Sequence, residues 1–157
     1  MAAFDTARAV RKTIGCVMML VLVATSDARM AGAAPSDVWV VRNDRGGSIS
    51  DRLDQIARIR AQGMRVEIRA GVCLSSCTML LTLKDLCIGA KVQFGFHGPS
   101  HHGQPLRPAE FDYWSDIIAR HYAPALRRWF MQDARFTIGG YKRLSGAKLI
   151  QLGYPSC

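Results

Sequence analysis

Two apolar spacings alternate along the chain. Asp37-Val-Trp-Val-Val-Arg42 is a short apolar run that predicts a central β-strand, and the turn residues of Asn43-Asp-Arg-Gly-Gly47 break it. Over residues 48–62 the spacing changes to Ile49, Leu53, Ile56, Ala57 and Ile59, which is helical. Ser48 and Ser50 are both candidate caps for this helix, Asp51 suits its first turn, and Gly63 stops it. Residues 64–70 alternate again, with Val66 and Ile68 on one face of a second strand. The pattern is β-turn-α-β.

After Gly71 the apolar positions lose their alternation. Residues 73–83 are rich in Leu and Met and predict a short buried helix. A short strand or turn follows over 87–92, then a brief strand over 94–97 and a loop over 98–108 punctuated by Pro99, Pro105 and Pro108. Residues 109–131 form the longest helical candidate, bent or interrupted near Pro124. A short helix over 145–152 ends at Gly153. Alternating β and α elements predict one layered α/β domain.

The N-terminal segment does not fit that layering. It has basic Arg8, Arg11 and Lys12, an apolar run over 14–24, and Ala31-Gly-Ala-Ala34. This is the pattern of a secretory signal peptide spanning 1–33. The apolar run is short for a membrane span, which needs roughly 20 residues, so an uncleaved anchor is the second reading. Residues 34–157 are then the domain, placed in the periplasm or outside the cell.

Export changes the reading of the cysteines. Cys16 leaves with the signal peptide, while Cys73, Cys77, Cys87 and Cys157 remain in a compartment where disulfides persist. Three pairings exist and the sequence selects none. Cys73–Cys77 with Cys87–Cys157 is one candidate, and Cys73–Cys87 with Cys77–Cys157 is another. A four-thiolate zinc site is disfavoured because the spacing lacks paired metal knuckles.

The formal net charge is +9, but the Lys and Arg residues are dispersed. No helix-turn-helix, zinc-finger or aromatic RNA-binding signature accompanies them, so no nucleic-acid partner is expected. An anionic envelope surface fits the charge, as does solubility alone.

The residues with reactive potential are in Gly71-Val-Cys-Leu-Ser-Ser-Cys-Thr-Met-Leu-Leu81 and Phe94-Gly-Phe-His-Gly-Pro99. A serine is presented at a Gly-rich strand-to-helix junction, and a histidine follows a second apolar run. A serine hydroxyl needs a neighbouring base, and neutral imidazole supplies one near neutral pH. Together with the Gly-Gly turn, these segments resemble the Clp-protease branch of the crotonase-like superfamily, which includes the signal peptide peptidases. They are closest to small secreted or periplasmic proteins of that group. The resemblance runs from about Val38 to Ser156.

The resemblance implies Ser75 as nucleophile and His97 as general base. It also implies oxyanion donors at Gly46, Gly47 and Ser76, a peptide or acyl substrate, no cofactor and a homo-oligomer. The chain departs from the pattern in three places. Ser156 stands where the orienting aspartate is expected, Arg45 replaces a proline before the Gly-Gly pair, and a domain beginning so close to Val38 is expected to lack the first strand of the family.

Asp112 and Asp116 are candidate orienting acids for His97 if their helix folds back over the site, although solvated surface positions are the preferred reading for both. The plain alternative is that Ser75 caps a buried helix, His97 packs at a strand end, and the protein is a noncatalytic envelope scaffold. His101 and His102, with His97 or His121, invite a metal reading, but an ordinary exposed loop is preferred and no metal is expected. Phe111, Tyr113, Trp114, Tyr122, Trp129 and Phe130 are read as packing first and as a subunit contact second.

Overall fold

The computed structural model describes residues 37–157. The expected signal peptide, with Cys16 inside it, lies outside the described residues. Strand β2 (Arg65–Leu74) organises the sheet. Val66, Glu67 and Ile68 are all buried, as expected for a strand flanked on both sides. Strand β1 (Val38–Asp44) pairs with β2 in parallel. On the other side, β3 (Leu86–Ile88) and β4 (Gln93–Phe96) pair in parallel with successive parts of β2. Strand β7 (Lys142–Ser145) joins β4 antiparallel, so the α/β domain contains a mixed five-stranded sheet.

The connection between β1 and β2 is helix α1 (Ile49–Gln62). A parallel pair requires such a crossover, because a tight turn returns the chain antiparallel. Ser48 is the actual cap, its Oγ accepting from the Asp51 N–H at 3.3 Å. Gly63 ends the helix at φ +61°, a left-handed conformation suited to glycine. Ile56 and Ile59 are buried in the core.

Among the described residues β1 is an edge strand and not the central strand expected from its composition. Its Val41 is buried, whereas Val38 is 51% and Val40 38% exposed. An uninterrupted apolar run therefore covers only one face here. On β2, buried Glu67 is satisfied from both sides by Arg65 and Arg69, as a buried carboxylate requires.

The long helical candidate is divided into α2 (Pro108–Ala119) and α3 (Pro124–Gln132). Pro124 occupies the first turn of α3, where its missing N–H has no helical acceptor to lose. Phe96 packs edge-on against Tyr122 and Trp129, so much of the aromatic series does pack inside. The short helix α4 (Gly146–Gln151) is capped by Ser145 Oγ. The loop expected over 98–108 contains a small hairpin, β5 (Ser100–His101) and β6 (Gln104–Pro105).

Two disulfides select one of the open pairings: Cys73–Cys77 and Cys87–Cys157. They replace the four-thiolate reading. The disulfides are compatible with a secreted or periplasmic protein. No helix among the described residues is long and apolar enough to cross a membrane.

Candidate active site

Parallel strands end on the same side of a sheet, and the crevice outside their carboxyl ends is the usual ligand position in open α/β sheets. Here the ends of β1, β2 and β4 lead into Gly46-Gly47, Ser75 and His97. Segments distant in sequence thus meet at one edge.

The apolar stretch expected to be helical over 73–83 divides at Ser75. Cys73 and Leu74 remain in β2, paired with Phe94 and Gly95 of β4, and a 3-10 helix runs from Ser75 to Thr82. Ser75 makes the bend at φ +56°, a sparsely populated conformation for a residue with a side chain. This sharp strand-to-helix bend has the local geometry that exposes a serine nucleophile in unrelated hydrolases. Ser75 Oγ lies 2.7 Å from His97 Nε2.

Three contacts support the bend. Thr78 Oγ1 donates to the Ser75 carbonyl at 2.7 Å and lies 2.6 Å from the buried Tyr122 hydroxyl. A threonine has one hydroxyl proton, so Tyr122 is the donor in that second bond. The Cys73–Cys77 disulfide spans Ser75 symmetrically. Finally, Gly46 lies so close that a Cβ there would come within 2.5 Å of Ser75 Cβ and 2.7 Å of the Leu74 carbonyl oxygen. Gly46 also has φ +88°, so both space and backbone conformation require glycine.

The expected oxyanion donors separate. Gly46 donates its N–H to Asp44 Oδ1 at 2.8 Å. Asp44 is held in turn by the buried Arg52 guanidinium at 2.7 Å, and Arg52 donates to Gln55 Oε1 at 2.6 Å. The Gly46 N–H is thereby committed to the turn. Gly47 lines the cleft, and no hydrogen bond among the described residues takes up its N–H. Ser76 is in the first turn of the 3-10 helix, where backbone N–H groups lack helical acceptors. Gly47 and Ser76 are the two donors left.

His97 is half-buried, and its ring meets Tyr141 edge-on at 5.2 Å. Burial lowers its pKa below the ordinary imidazole value, opposed less strongly by the Gly98 backbone. Nδ1 is buried and has no hydrogen-bond partner among the described residues. The neutral imidazole is thus favoured, and no side-chain carboxylate among the described residues fixes which nitrogen carries its proton.

Neither candidate acid supplies a carboxylate there. Asp112 is exposed and accepts from Arg135 at 3.0 Å, while Asp116 is also exposed. Trp114 and Ile118 of the same helix line the cleft. A displacement of two residues is about 200° around a helix, which turns Asp112 and Asp116 away. Ser156 bridges Ile88 of β3, whose β2 partner is Ile68. That position is beside the middle of β2 and not at its carboxyl end.

The cleft has a volume of about 560 Å³. Ile49, Leu106, Trp114 and Ile118 give it an apolar wall, and no Asp, Glu, Lys or Arg among the described residues lines it. Arg45 is outside the lining, so it does not fill the cleft. His101 and His102 are at the hairpin, with His102 at φ +49° and Gly103 at φ +79°, the two left-handed positions of a tight hairpin turn. They line the cleft with His97, but the described residues contain no metal-holding cluster of three. His121 is absent from the lining and its Nδ1 bonds the Ile117 carbonyl.

The sequence does not single out Tyr141 or the Thr78–Tyr122 pair as part of the site. The helical spacing of Trp114 and Ile118 signals the α2 wall, whereas Tyr141 has no local signal. No protein-family model matches the chain, and no curated protein matches it significantly.

Proposed function

We propose that this protein is an exported serine peptidase or other acyl hydrolase of the Clp-protease-like crotonase fold. The 2.7 Å contact between Ser75 Oγ and His97 Nε2 carries this reading. In the acylation step His97 Nε2 removes the Ser75 proton while Oγ attacks the substrate carbonyl. Gly47 and Ser76 N–H groups hold the developing oxyanion. The protonated imidazole then gives its proton to the departing amine or alcohol. Water enters with His97 again as base, releasing the acid and restoring Ser75.

The absence of a charged lining residue favours an uncharged acyl or peptide segment against the apolar wall. Without a carboxylate at Nδ1, turnover is slow. Disrupting this member of a complete triad lowers kcat by about 10⁴-fold.

The second reading is a noncatalytic envelope scaffold, favoured by that unpartnered Nδ1 and by the commitment of the Gly46 N–H to Asp44. In this reading the exposed Tyr113 and Phe136 side chains serve homo-oligomer assembly, and the positive charge serves association with an anionic surface.

A fluorophosphonate followed by intact mass separates the readings. The hydrolase gives one adduct, abolished by Ser75→Ala and by His97→Ala. Folded wild-type protein without an adduct supports the scaffold.

A further inference from the structure

Building on the serine-hydrolase reading, we propose that the Cys73–Cys77 disulfide is the clamp that sets the nucleophile, making the Ser75–His97 pair competent only after oxidation. Ser75 is the midpoint of the bridge. Cys73 is fixed in β2 opposite Phe94, and Leu74 is extended at φ −115° and ψ 153°. A strand continuing from Cys73 to residue 77 would span about 13 Å. The bridged Cα atoms are instead 5.3 Å apart.

The chain must therefore turn between a residue held in the ladder and one held in the 3-10 helix. That turn falls at Ser75, with its left-handed φ. Thr78 restrains the Ser75 carbonyl, but it is the disulfide that cross-links the two flanks covalently. With the bridge absent, the bend relaxes toward a conformation normal for serine, and Oγ moves out of reach of His97.

Oxidation removes two protons and two electrons from the two thiols. A disulfide of a second molecule accepts them by exchange through a mixed disulfide and leaves as two thiols. Cys73 and Cys77 are both fully buried, so this exchange belongs to folding and not to the finished protein. The protein is silent where thiols are kept reduced and competent where disulfides form.

The test compares the full chain with Cys73→Ala/Cys77→Ala and Cys87→Ala/Cys157→Ala variants. The measurements are fluorophosphonate labelling rate, Tm, and the ¹⁵N shift of His97 Nε2, with Ser75→Ala as the shift reference. Removing the clamp lowers labelling about 10²-fold, the usual scale for displacement of a reacting group by 1 Å. The Cys87→Ala/Cys157→Ala variant loses more Tm but retains the wild-type labelling rate. Unchanged labelling without the clamp overturns the proposal, as does a rate loss that simply follows Tm in both variants.

If wild-type protein does not label, the hydrolase reading fails and the Nε2 shift still decides the clamp. Movement to the Ser75→Ala value in the clamp variant supports it, whereas the wild-type value overturns it. Cys73→Val/Cys77→Val, which preserves more core volume, replaces the alanine pair if that pair does not fold.

Discussion

The two disulfides join chain segments over very different distances. Cys73–Cys77 closes a separation of four residues around Ser75, whereas Cys87–Cys157 closes one of 70 beside β3. Chain-entropy reasoning assigns about 2 kcal/mol to the short loop and about 4 kcal/mol to the long one. The bridge that constrains the chain more is remote from the candidate chemistry. Holding the chain together and aiming a hydroxyl are therefore separate tasks here.

The largest expected effect tests the remote side of this comparison. Cys87→Ala/Cys157→Ala should lower unfolding free energy by about 4 kcal/mol, measured by urea denaturation. A loss below that of the short bridge would reverse the proposed division. Gly46→Ala attacks the other end by driving a Cβ toward Ser75 and by imposing side-chain strain at φ +88°. It should cost about 1–3 kcal/mol and reduce labelling more than a remote change of equal stability cost.

Tyr122→Phe gives a smaller probe of the bend. It removes the donor to Thr78 while keeping the buried ring, and should cost about 1 kcal/mol in the same denaturation assay. An unchanged labelling rate would show that the disulfide holds Ser75 without help from this chain of hydroxyls.

The smallest expected change is a drift in stability with pH. Burial lowers the pKa values of both His97 and His121 in the folded protein. As pH falls, their unfolded forms take up protons first, near the ordinary value of about 6.5. Stability is therefore lost as pH drops from that value through the lower folded values. Labelling should also stay level from neutral pH down through about 6.5 and fall only at the lower pH where folded His97 protonates. Acid stabilisation in a Tm series, or labelling that rises on acidification, would contradict this assignment.

Local patterns carried much of the backbone reading. The spacing in α1, its Ser48 cap and its Gly63 stop each act within a few residues, so their signals survive without the tertiary structure. The same is true of the bend between β2 and the apolar segment after it. The length of β2 was less legible because Cys73 and Leu74 become strand residues by pairing with β4. β1 looked central because its composition is apolar, but exposure depends on which neighbour is present.

The candidate site divides along similar lines. Ser75 and His97 stand out as residue types at strand ends, and the parallel sheet brings those ends together. Tyr141 reaches His97 from a segment with no distinguishing local pattern. Asp112 and Asp116 had suitable chemistry, but the rotation of α2 points Trp114 and Ile118 at the cleft instead. The Gly-Gly turn named the right place without revealing that Asp44 captures one of its two N–H groups.

The wide separation of Cys87 and Cys157 also imposes an order on synthesis. Cys73, Cys77 and Cys87 emerge as three nearby thiols, while the partner of Cys87 is still 70 residues away. Early closure of Cys73–Cys77 removes two competitors and leaves Cys87 waiting for its distant mate. Any earlier pairing of Cys87 must be undone by exchange, a process lasting seconds to hours. A newly made chain thus depends on the sequence of thiol pairing as well as on its final connectivity.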